Sequence, residues 1–263
     1  MRILFIGDVV GNLGQQMLDD YLPRLKKHYK PQVTIVNGEN AADGKGITEV
    51  AYKRMLNAGA DVITLGNHAW DKHELLDFID HAPKLIRPAN FPGNTPGQGY
   101  VNINVNGKQL TVINLQGRVF LNALDDPFTK VDELLSHCSA SNWIIIDFHA
   151  EATSEKEAFG YYVDGRVTAV IGTHTHVQTN DARILSQGTG YLTDAGMTGP
   201  YNGVLGVKTE NVLSRFLTQR PSRFNVAEDD QGQLNGCVLD FDNNGHTRAI
   251  NLIKVTPDHP FFD

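Results

Sequence analysis

The stretch YVNINVNGKQLTVINL (Tyr100–Leu115) decides between two fold classes. Its residues alternate on either side of Asn106-Gly107, a dipeptide typical of a two-residue β-hairpin turn. Before it, short apolar runs alternate with segments of helical period, the βαβ rhythm of a parallel sheet. A plain doubly wound sheet needs no hairpins, and a second hairpin is predicted around Asn243–Gly245. The sequence therefore predicts an α/β fold in which two mixed β-sheets pack as a sandwich flanked by helices.

Five buried strands are predicted from short apolar runs. They are RILFI (Arg2–Ile6), QVTIV (Gln32–Val36), DVITL (Asp61–Leu65), NWIIIDF (Asn142–Phe148) and VTAVI (Val167–Ile171). Their continuous apolar character is that of strands covered on both faces.

Segments of helical period separate these strands. The first has its apolar residues near one face, but Pro23 inside it predicts a break or a kink. Further helices are predicted over Ile47–Ala58, over DKHELLDFID (71–80) and near Ser154–Tyr161. The stretch RPANFPGNTPGQG (87–99) is rich in Pro and Gly, which predicts a surface loop.

The composition is that of an ordinary globular protein. The 263 residues are 41% hydrophobic and 20% charged, which favours a single domain spanning residues 1–263. The formal net charge of −7 argues against an extended nucleic-acid or membrane-binding surface. The two cysteines, Cys138 and Cys237, make no disulfide framework, so a reduced, cytoplasmic setting is expected. The apolar runs are all shorter than the ~18 residues of a membrane-spanning helix.

Polar residues that suit metal binding come just after each predicted strand. The strands run in turn into Gly7-Asp8, Gly38-Glu39-Asn40, Gly66-Asn67-His68, His149, and Gly172 with His174 and His176. Each set alone is weak evidence, because a single Asp after a strand is more often a turn or cap residue. The carboxyl ends of strands in α/β sheets are where ligands bind, so five such sets together indicate one site. Mixed oxygen and imidazole ligands suit Mn, Fe, Zn or Co.

The pair of histidines in GTHTH (172–176) leaves two arrangements open. On a continuing strand, residues i and i+2 point to the same face, so both imidazoles would aim at one point. If the chain turns there, the two rings only lie close together. The whole set holds more side chains than one metal uses, whereas two metals about 3.5–4 Å apart form a clamp suited to phosphoryl displacement.

The order of these motifs resembles that of the calcineurin-like metallophosphoesterases. The matching stretches read GDVVG, NGENAADGKGIT, GNHAWD, DFHAE and GTHTHVQT. The later stretch YLTDAGMTGP (191–200) is similar to the bacterial YmdB-type branch, so the resemblance covers about three quarters of the chain. One departure is Val10, which stands where most of the superfamily has a histidine. Asn40 can offer an amide oxygen in place of that imidazole.

The resemblance implies a metallophosphoesterase fold and two transition-metal ions, with Fe or Mn favoured and Zn as an alternative. The first ion would be held by Asp8, Glu39, Asn40 and His176. The second would be held by Asn67, His149 and His174, with Glu39 bridging the two ions. Thr173 and Thr175 would then point away from the metals and serve packing or hydrogen bonding.

The implied activity is hydrolysis of a small phosphodiester, such as a 2′,3′- or 3′,5′-cyclic nucleotide, by metal-activated water. His68 is expected to act as general acid, because adjacent side chains diverge and its neighbour Asn67 is a ligand. Asp71 is the candidate to orient His68. Arg118 could contact a phosphate, but a surface position is favoured.

Two other functions compete with this one. A metal-binding regulatory or RNA-interacting protein with little catalysis would keep the same ligands, although the negative charge argues against extended RNA contacts. An amidohydrolase also uses an HxH pair, but near its first strand, where this chain supplies only Asp8. Assembly into a homo-oligomer stays open, and no membrane partner is expected.

Overall fold

The computed structural model describes residues 1–138, 140–228 and 230–261. Its strands in chain order are β1 (Arg2–Ile6), β2 (Asp8–Val9), β3 (Val33–Asn37), β4 (Val62–Thr64), β5 (Leu85–Ile86), β6 (Tyr100–Val105), β7 (Lys108–Gln116), β8 (Trp143–His149), β9 (Ala169–Thr173), β10 (Arg183–Ile184), β11 (Gly190–Leu192), β12 (Met197–Pro200), β13 (Gly232–Phe241) and β14 (Thr247–Val255). Its α-helices are α1 (Gly11–Tyr29), α2 (Glu49–Ala58), α3 (Leu75–Phe78), α4 (Pro127–His137), α5 (Thr153–Tyr162) and α6 (Thr209–Thr218).

The strands form two mixed sheets, as predicted. The first sheet has the order β2-β12-β13-β1-β3-β4-β5, and β14 pairs with β13. The second has the order β10-β11-β9-β8-β7-β6. In the first sheet β1, β3, β4 and β5 run parallel, whereas β13 is antiparallel to β1. In the part of the chain that the structure describes, every helix is too short or too polar to cross a membrane.

The alternation of side chains along β1 explains how the layers pack. Ile3 and Phe5 point into the core between the two sheets, whereas Leu4 and Ile6 point into the core beneath α1 and α2. All four are fully buried. A strand covered on both faces is apolar throughout, which is why this run was recognisable in the sequence.

Both predicted hairpins are confirmed. β6 and β7 pair antiparallel around Asn106 and Gly107, whose φ values of 53° and 82° are those of a primed turn. β13 and β14 pair antiparallel on either side of Asn243–Gly245. The first hairpin belongs to the second sheet and the other to the first sheet.

Two predicted helices differ from the observed ones. A break or a kink was predicted at Pro23, and the break is wrong, because α1 continues across this residue and buries Leu22 and Leu25 on either side. The helix predicted over residues 71–80 is reduced to α3, followed by a 3₁₀ turn over Ile79–His81. The residues before α3 make other contacts, since Asp71 binds His68 and Lys72 binds Asp43.

The Pro/Gly-rich loop after β5 is built around a buried arginine. The Arg87 guanidinium donates hydrogen bonds to the carbonyl oxygens of Pro88 (2.9 Å), Thr95 (2.9 Å), Pro96 (3.1 Å) and Gly97 (3.1 Å). Only 7% of Arg87 is exposed, and this burial lowers the pKa of its side chain. The predicted surface loop is therefore wrong for its first part, which is packed into the protein.

A glycine is required at residue 172, where β9 passes the segment that follows β11. A Cβ atom there would overlap the backbone carbonyl oxygen of Thr193. We predict that Gly172→Ala lowers the free energy of unfolding in urea by about 2 kcal/mol or more, in the range of overpacking penalties.

The matched control is Gly93→Ala, because a Cβ atom at Gly93 would meet no heavy atom within 4 Å. It should leave the free energy of unfolding unchanged or raise it by less than about 1 kcal/mol. Equal stabilities of the two variants would contradict the steric explanation.

Candidate metal centre

The seven predicted ligands gather at one edge of the sandwich. Asp8 lies in β2, Glu39 and Asn40 follow β3, and Asn67 follows β4, all in the first sheet. His149 ends β8, and His174 and His176 follow β9, in the second sheet. The site is therefore assembled from the strand ends of both sheets.

One group of contacts is centred on His149. Its Nε2 atom lies 2.9 Å from Oδ1 of Asn67, 3.1 Å from Nδ1 of His174 and 3.2 Å from Oε1 of Glu39. The ligand atoms of Glu39, His149 and His174 all lie within 4.8 Å of one another. Imidazole nitrogens, a carboxylate and an amide oxygen thus converge in one small volume. We call Asn67, His149 and His174 the His149 group.

A second group of contacts is centred on Asn40. Its Nδ2 atom lies 2.9 Å from Oε1 of Glu39 and 3.1 Å from Nε2 of His176. The amide nitrogen faces the cluster, and a half-turn of the amide would present its oxygen instead. We call Asn40 and His176, together with Asp8, which the resemblance assigns to the same ion, the Asn40 group. Glu39, only 1% exposed, contacts both groups.

Asp8 shows that the site fits a cation. Its carboxylate is fully buried, and Oδ2 accepts a hydrogen bond of 3.1 Å from the backbone N–H of His174. Oδ1 has no hydrogen-bond partner among the described residues, and Nδ1 of His149 lies 3.9 Å from it. A buried carboxylate oxygen without a partner costs free energy, which a bound metal ion would recover.

The charges of the cluster also favour a cation. Burial raises the pKa of Asp8 to about 7. Burial also raises the pKa of Glu39, but the attraction of His149 and His68 is larger, so the pKa of Glu39 is lowered. Burial lowers the pKa of His149, yet the carboxylates of Glu39 and Asp8 raise it to about 9. Burial and the charge of His149 lower the pKa of His174 to about 3. A proton on His149 thus balances the carboxylates, and a metal ion would replace it.

The chain turns at the two histidines, which answers the question left open by the sequence. β9 ends at Thr173, and His174 and His176 have φ values of 104° and 64°. Such values are uncommon for residues other than glycine and cost about 1–3 kcal/mol each. Nδ1 of His174 faces His149, whereas Nε2 of His176 faces Asn40. The two rings therefore belong to different groups.

A buried polar network below His149 fixes its ring. Nδ1 of His149 lies 2.9 Å from Oγ1 of Thr173, which donates a hydrogen bond of 2.6 Å to Asp147. Asn37 (3.1 Å) and Thr64 also donate to Asp147. With Nδ1–H donating to Thr173, Nε2 is the ring nitrogen that faces the cluster.

This network was not predicted from the sequence. Thr173 does point away from the cluster and serves hydrogen bonding, as expected, but its contact with the back of His149 was not predicted. The available signal was a polar residue within or at the end of three apolar strands, namely Asn37, Thr64 and Asp147.

A buried ion pair, which the sequence analysis also missed, holds the backbone around His174. Nζ of Lys156 lies 2.7 Å from Oδ2 of Asp194, and both side chains are at most 1% exposed. Lys156 also donates to the carbonyl oxygen of Thr173 (2.7 Å), while Asp194 accepts from the N–H of Thr175 (3.0 Å). Asp194 could have been noticed in the sequence, because it lies within the YLTDAGMTGP stretch. Lys156 could not, because no local pattern distinguishes it from a surface lysine of α5.

His68 lies beside the cluster without joining it. Its backbone N–H donates to Oε2 of Glu39 (3.1 Å), and its ring Nδ1 lies 2.9 Å from Oδ2 of Asp71. Its side chain is 27% exposed, and Nε2 has no hydrogen-bond partner within the described part of the chain. The expected contact between Asp71 and His68 is therefore present.

Two neighbouring side chains complete the surroundings. Glu151 was not among the predicted site residues. Its Oε2 atom lies 2.9 Å from Nε2 of His174, so the other ring nitrogen of His174, Nδ1, faces the cluster. Arg118 pairs with Asp126 (2.8 Å), and its side chain is 46% exposed, which agrees with the favoured surface position.

Comparison with known proteins gives a consistent result. A family model described as YmdB-like protein matches residues 4–253. A Bacillus subtilis (strain 168) protein named 2′,3′-cyclic-nucleotide 2′-phosphodiesterase is 57% identical over 265 residues, which cover 100% of both chains.

Two solved structures have the same fold, each with a TM-score of 0.92. A hypothetical protein from Thermus thermophilus is 41% identical, and the match covers 97% of this chain and 99% of that one. A novel phosphatase from Mycoplasma pneumoniae is 34% identical, with coverage of 97% and 93%. The chain therefore belongs to the YmdB-like family.

Proposed function

We propose that this protein is a metal-dependent phosphodiesterase that hydrolyses cyclic nucleotides, with 2′,3′-cyclic nucleotides as the preferred substrates. The observation that carries the proposal is the position of the buried Glu39 carboxylate between two groups of ligand-type side chains. The name of the 57% identical relative supports the substrate class. A cytoplasmic location and a homo-oligomeric state stay predictions.

Two transition-metal ions fit the two groups. The Asn40 group would hold one ion and the His149 group the other, with Glu39 bridging them. Oxygen and imidazole ligands suit Fe or Mn, and the thiols of Cys138 and Cys237 are buried outside the site. When bound, the ions supply an activated water and stabilise negative charge on the phosphoryl oxygens.

The surrounding residues position the ligands. The hydrogen bond to Thr173 keeps Nε2 of His149 facing the site, and Glu151 does the same for Nδ1 of His174. The Lys156–Asp194 ion pair holds the turn in which His174 and His176 adopt strained backbone angles. These contacts keep the ligand atoms in place before substrate arrives.

We assign the role of general acid to His68, and its contact with Asp71 supports this assignment. In hydrolysis of a 2′,3′-cyclic nucleotide, a bond forms between the water oxygen and phosphorus, and the bond from phosphorus to the 2′ oxygen breaks. His68 donates the Nε2 proton to the departing 2′ oxygen, which leaves a nucleoside 3′-monophosphate. The contact from Nδ1 to Asp71 orients the ring for this transfer.

Metal analysis tests the ligand assignment. We expect the metal-loaded wild-type protein to contain two Mn or Fe ions per chain by elemental analysis, and Asp8→Ala or His149→Ala to lose at least one. The matched control is Asp43→Ala, because the side chain of Asp43 is 93% exposed and lies outside both groups. A wild-type protein that takes up only one ion would contradict the two-ion assignment.

A substitution of His68 tests the general-acid role. We expect His68→Ala to retain both ions and to lower kcat for 2′,3′-cyclic AMP by about 10²–10⁴-fold. Hydrolysis of bis(4-nitrophenyl) phosphate should fall much less, because its leaving group needs no proton. His73→Ala, at an exposed histidine outside the site, is the matched control.

Equal losses on both substrates would show that His68 has another role. A wild-type protein that holds two ions but hydrolyses neither substrate would favour the non-catalytic, regulatory alternative.

A further inference from the structure

A cavity of about 330 Å³ lies next to the Asn40 group, and His176 forms part of its wall. Its walls include Val177, Leu205, Asn235 and Lys254. This volume is within the range of small-molecule binding sites. The metal chemistry proposed above uses none of these four side chains, so the cavity needs a separate explanation.

The cavity is close enough to the metal centre to share a ligand with it. The backbone N–H of Gly7, next to Asp8, donates to the carbonyl oxygen of Asn235 (3.0 Å). Lys254 in β14 lies opposite Asn235 in β13. Adjacent strands are ~4.8 Å apart, so the backbone of Lys254 is roughly 10 Å from Gly7. A nucleoside spans about this distance, which allows one nucleotide to occupy both places.

Asn235 forms a fixed part of the cavity wall. The residue is 3% exposed, and its Nδ2 already donates to the carbonyl oxygen of Met197 (2.8 Å) and to Oε1 of Gln233 (3.1 Å). Its Oδ1 has no hydrogen-bond partner among the described residues. This oxygen is itself closed off from solvent, so Asn235 contributes a rigid wall to the cavity and no direct contact to a ligand.

The other walls combine polar side chains, such as Gln178 and Gln233, with two apolar ones, which suits a flat ring with polar edges. Val177 is 56% exposed and Leu205 is 49% exposed, so their side chains present apolar surface at this position. Lys254 is exposed and forms no ion pair within the described ranges, so its ammonium group is available to a carbonyl oxygen of a base. An unpaired cation also favours anionic ligands in a chain whose net charge is −7.

We propose that this cavity, which we call the base cavity, binds the nucleobase of the nucleotide whose phosphate reaches the metal centre. The base cavity then sets the preference of the enzyme among nucleotides. This inference rests on the proposed function, because its ligand is the substrate of that reaction.

The test compares a nucleotide with a substrate that has no base. For each variant, kcat/KM is measured with 2′,3′-cyclic AMP and with bis(4-nitrophenyl) phosphate, and the ratio of the two values is taken. The ratio removes any effect of a variant on metal loading or folding. We expect Val177→Trp, which fills the base cavity, to lower the ratio at least tenfold through a higher KM for the nucleotide.

The matched control is Leu76→Trp, at a side chain of α3 that is 45% exposed and lies away from the cavity. It should leave the ratio within twofold of the wild-type value. Lys254→Met keeps the alkyl chain but removes the charge, and it should change the order of preference among the four 2′,3′-cyclic nucleotides.

Equilibrium binding gives a second readout that does not depend on turnover. Calorimetric titration of the metal-loaded protein with adenosine 3′-monophosphate should show at least tenfold weaker binding to Val177→Trp, whereas binding of inorganic phosphate should not change.

Two results would overturn the inference, and they differ in what else they exclude. Suppose that Val177→Trp and Lys254→Met both keep the wild-type kcat/KM ratio, the wild-type order of preference among the cyclic nucleotides and the wild-type affinity for adenosine 3′-monophosphate. Binding of the nucleobase in the base cavity is then excluded, and the proposed function stands. If the wild-type protein hydrolyses the aryl phosphate but no cyclic nucleotide, the proposed substrate class and the base cavity both fail.

Discussion

The buried carboxylate of Glu39 is the constraint on which the rest of the site depends. It is 1% exposed, and His149 is its one ion-pair partner in the described part of the chain. A buried charge is costly unless it is paired and hydrogen-bonded, and the backbone N–H of His68 supplies one such bond. Both ligand groups contact this carboxylate, so their positions follow from the need to stabilise it.

The strained turn after β9 depends on buried contacts that lie behind it. His174 and His176 adopt positive φ values, which a free chain would avoid. The Lys156–Asp194 ion pair holds the backbone on both sides of His174, through Thr173 and Thr175. Because a buried ion pair contributes little net stability by itself, its use here is to impose a geometry that the sequence does not favour locally.

The features predictable from the sequence are those with a local cause. Runs that are apolar on both faces revealed the buried strands, and Asn106-Gly107 revealed a hairpin, because a primed turn accepts few other residues. The ligands were found because each follows a strand end. The support of the site was not predictable, since the contact of Lys156 with Asp194 joins residues 38 positions apart. Pro23 was misjudged because burial of the neighbouring leucines outweighs a local preference.

Each ligand group takes side chains from both sheets, so bound ions would act as a cross-link through the sandwich. Asp8 and Asn67 come from one sheet, and His176 and His149 from the other. Separation of the sheets would require release of the ions, so metal-free chains would unfold more readily than metal-loaded ones. Proteases act on unfolded chains, and the lifetime of the protein in the cell would therefore follow the supply of its metal.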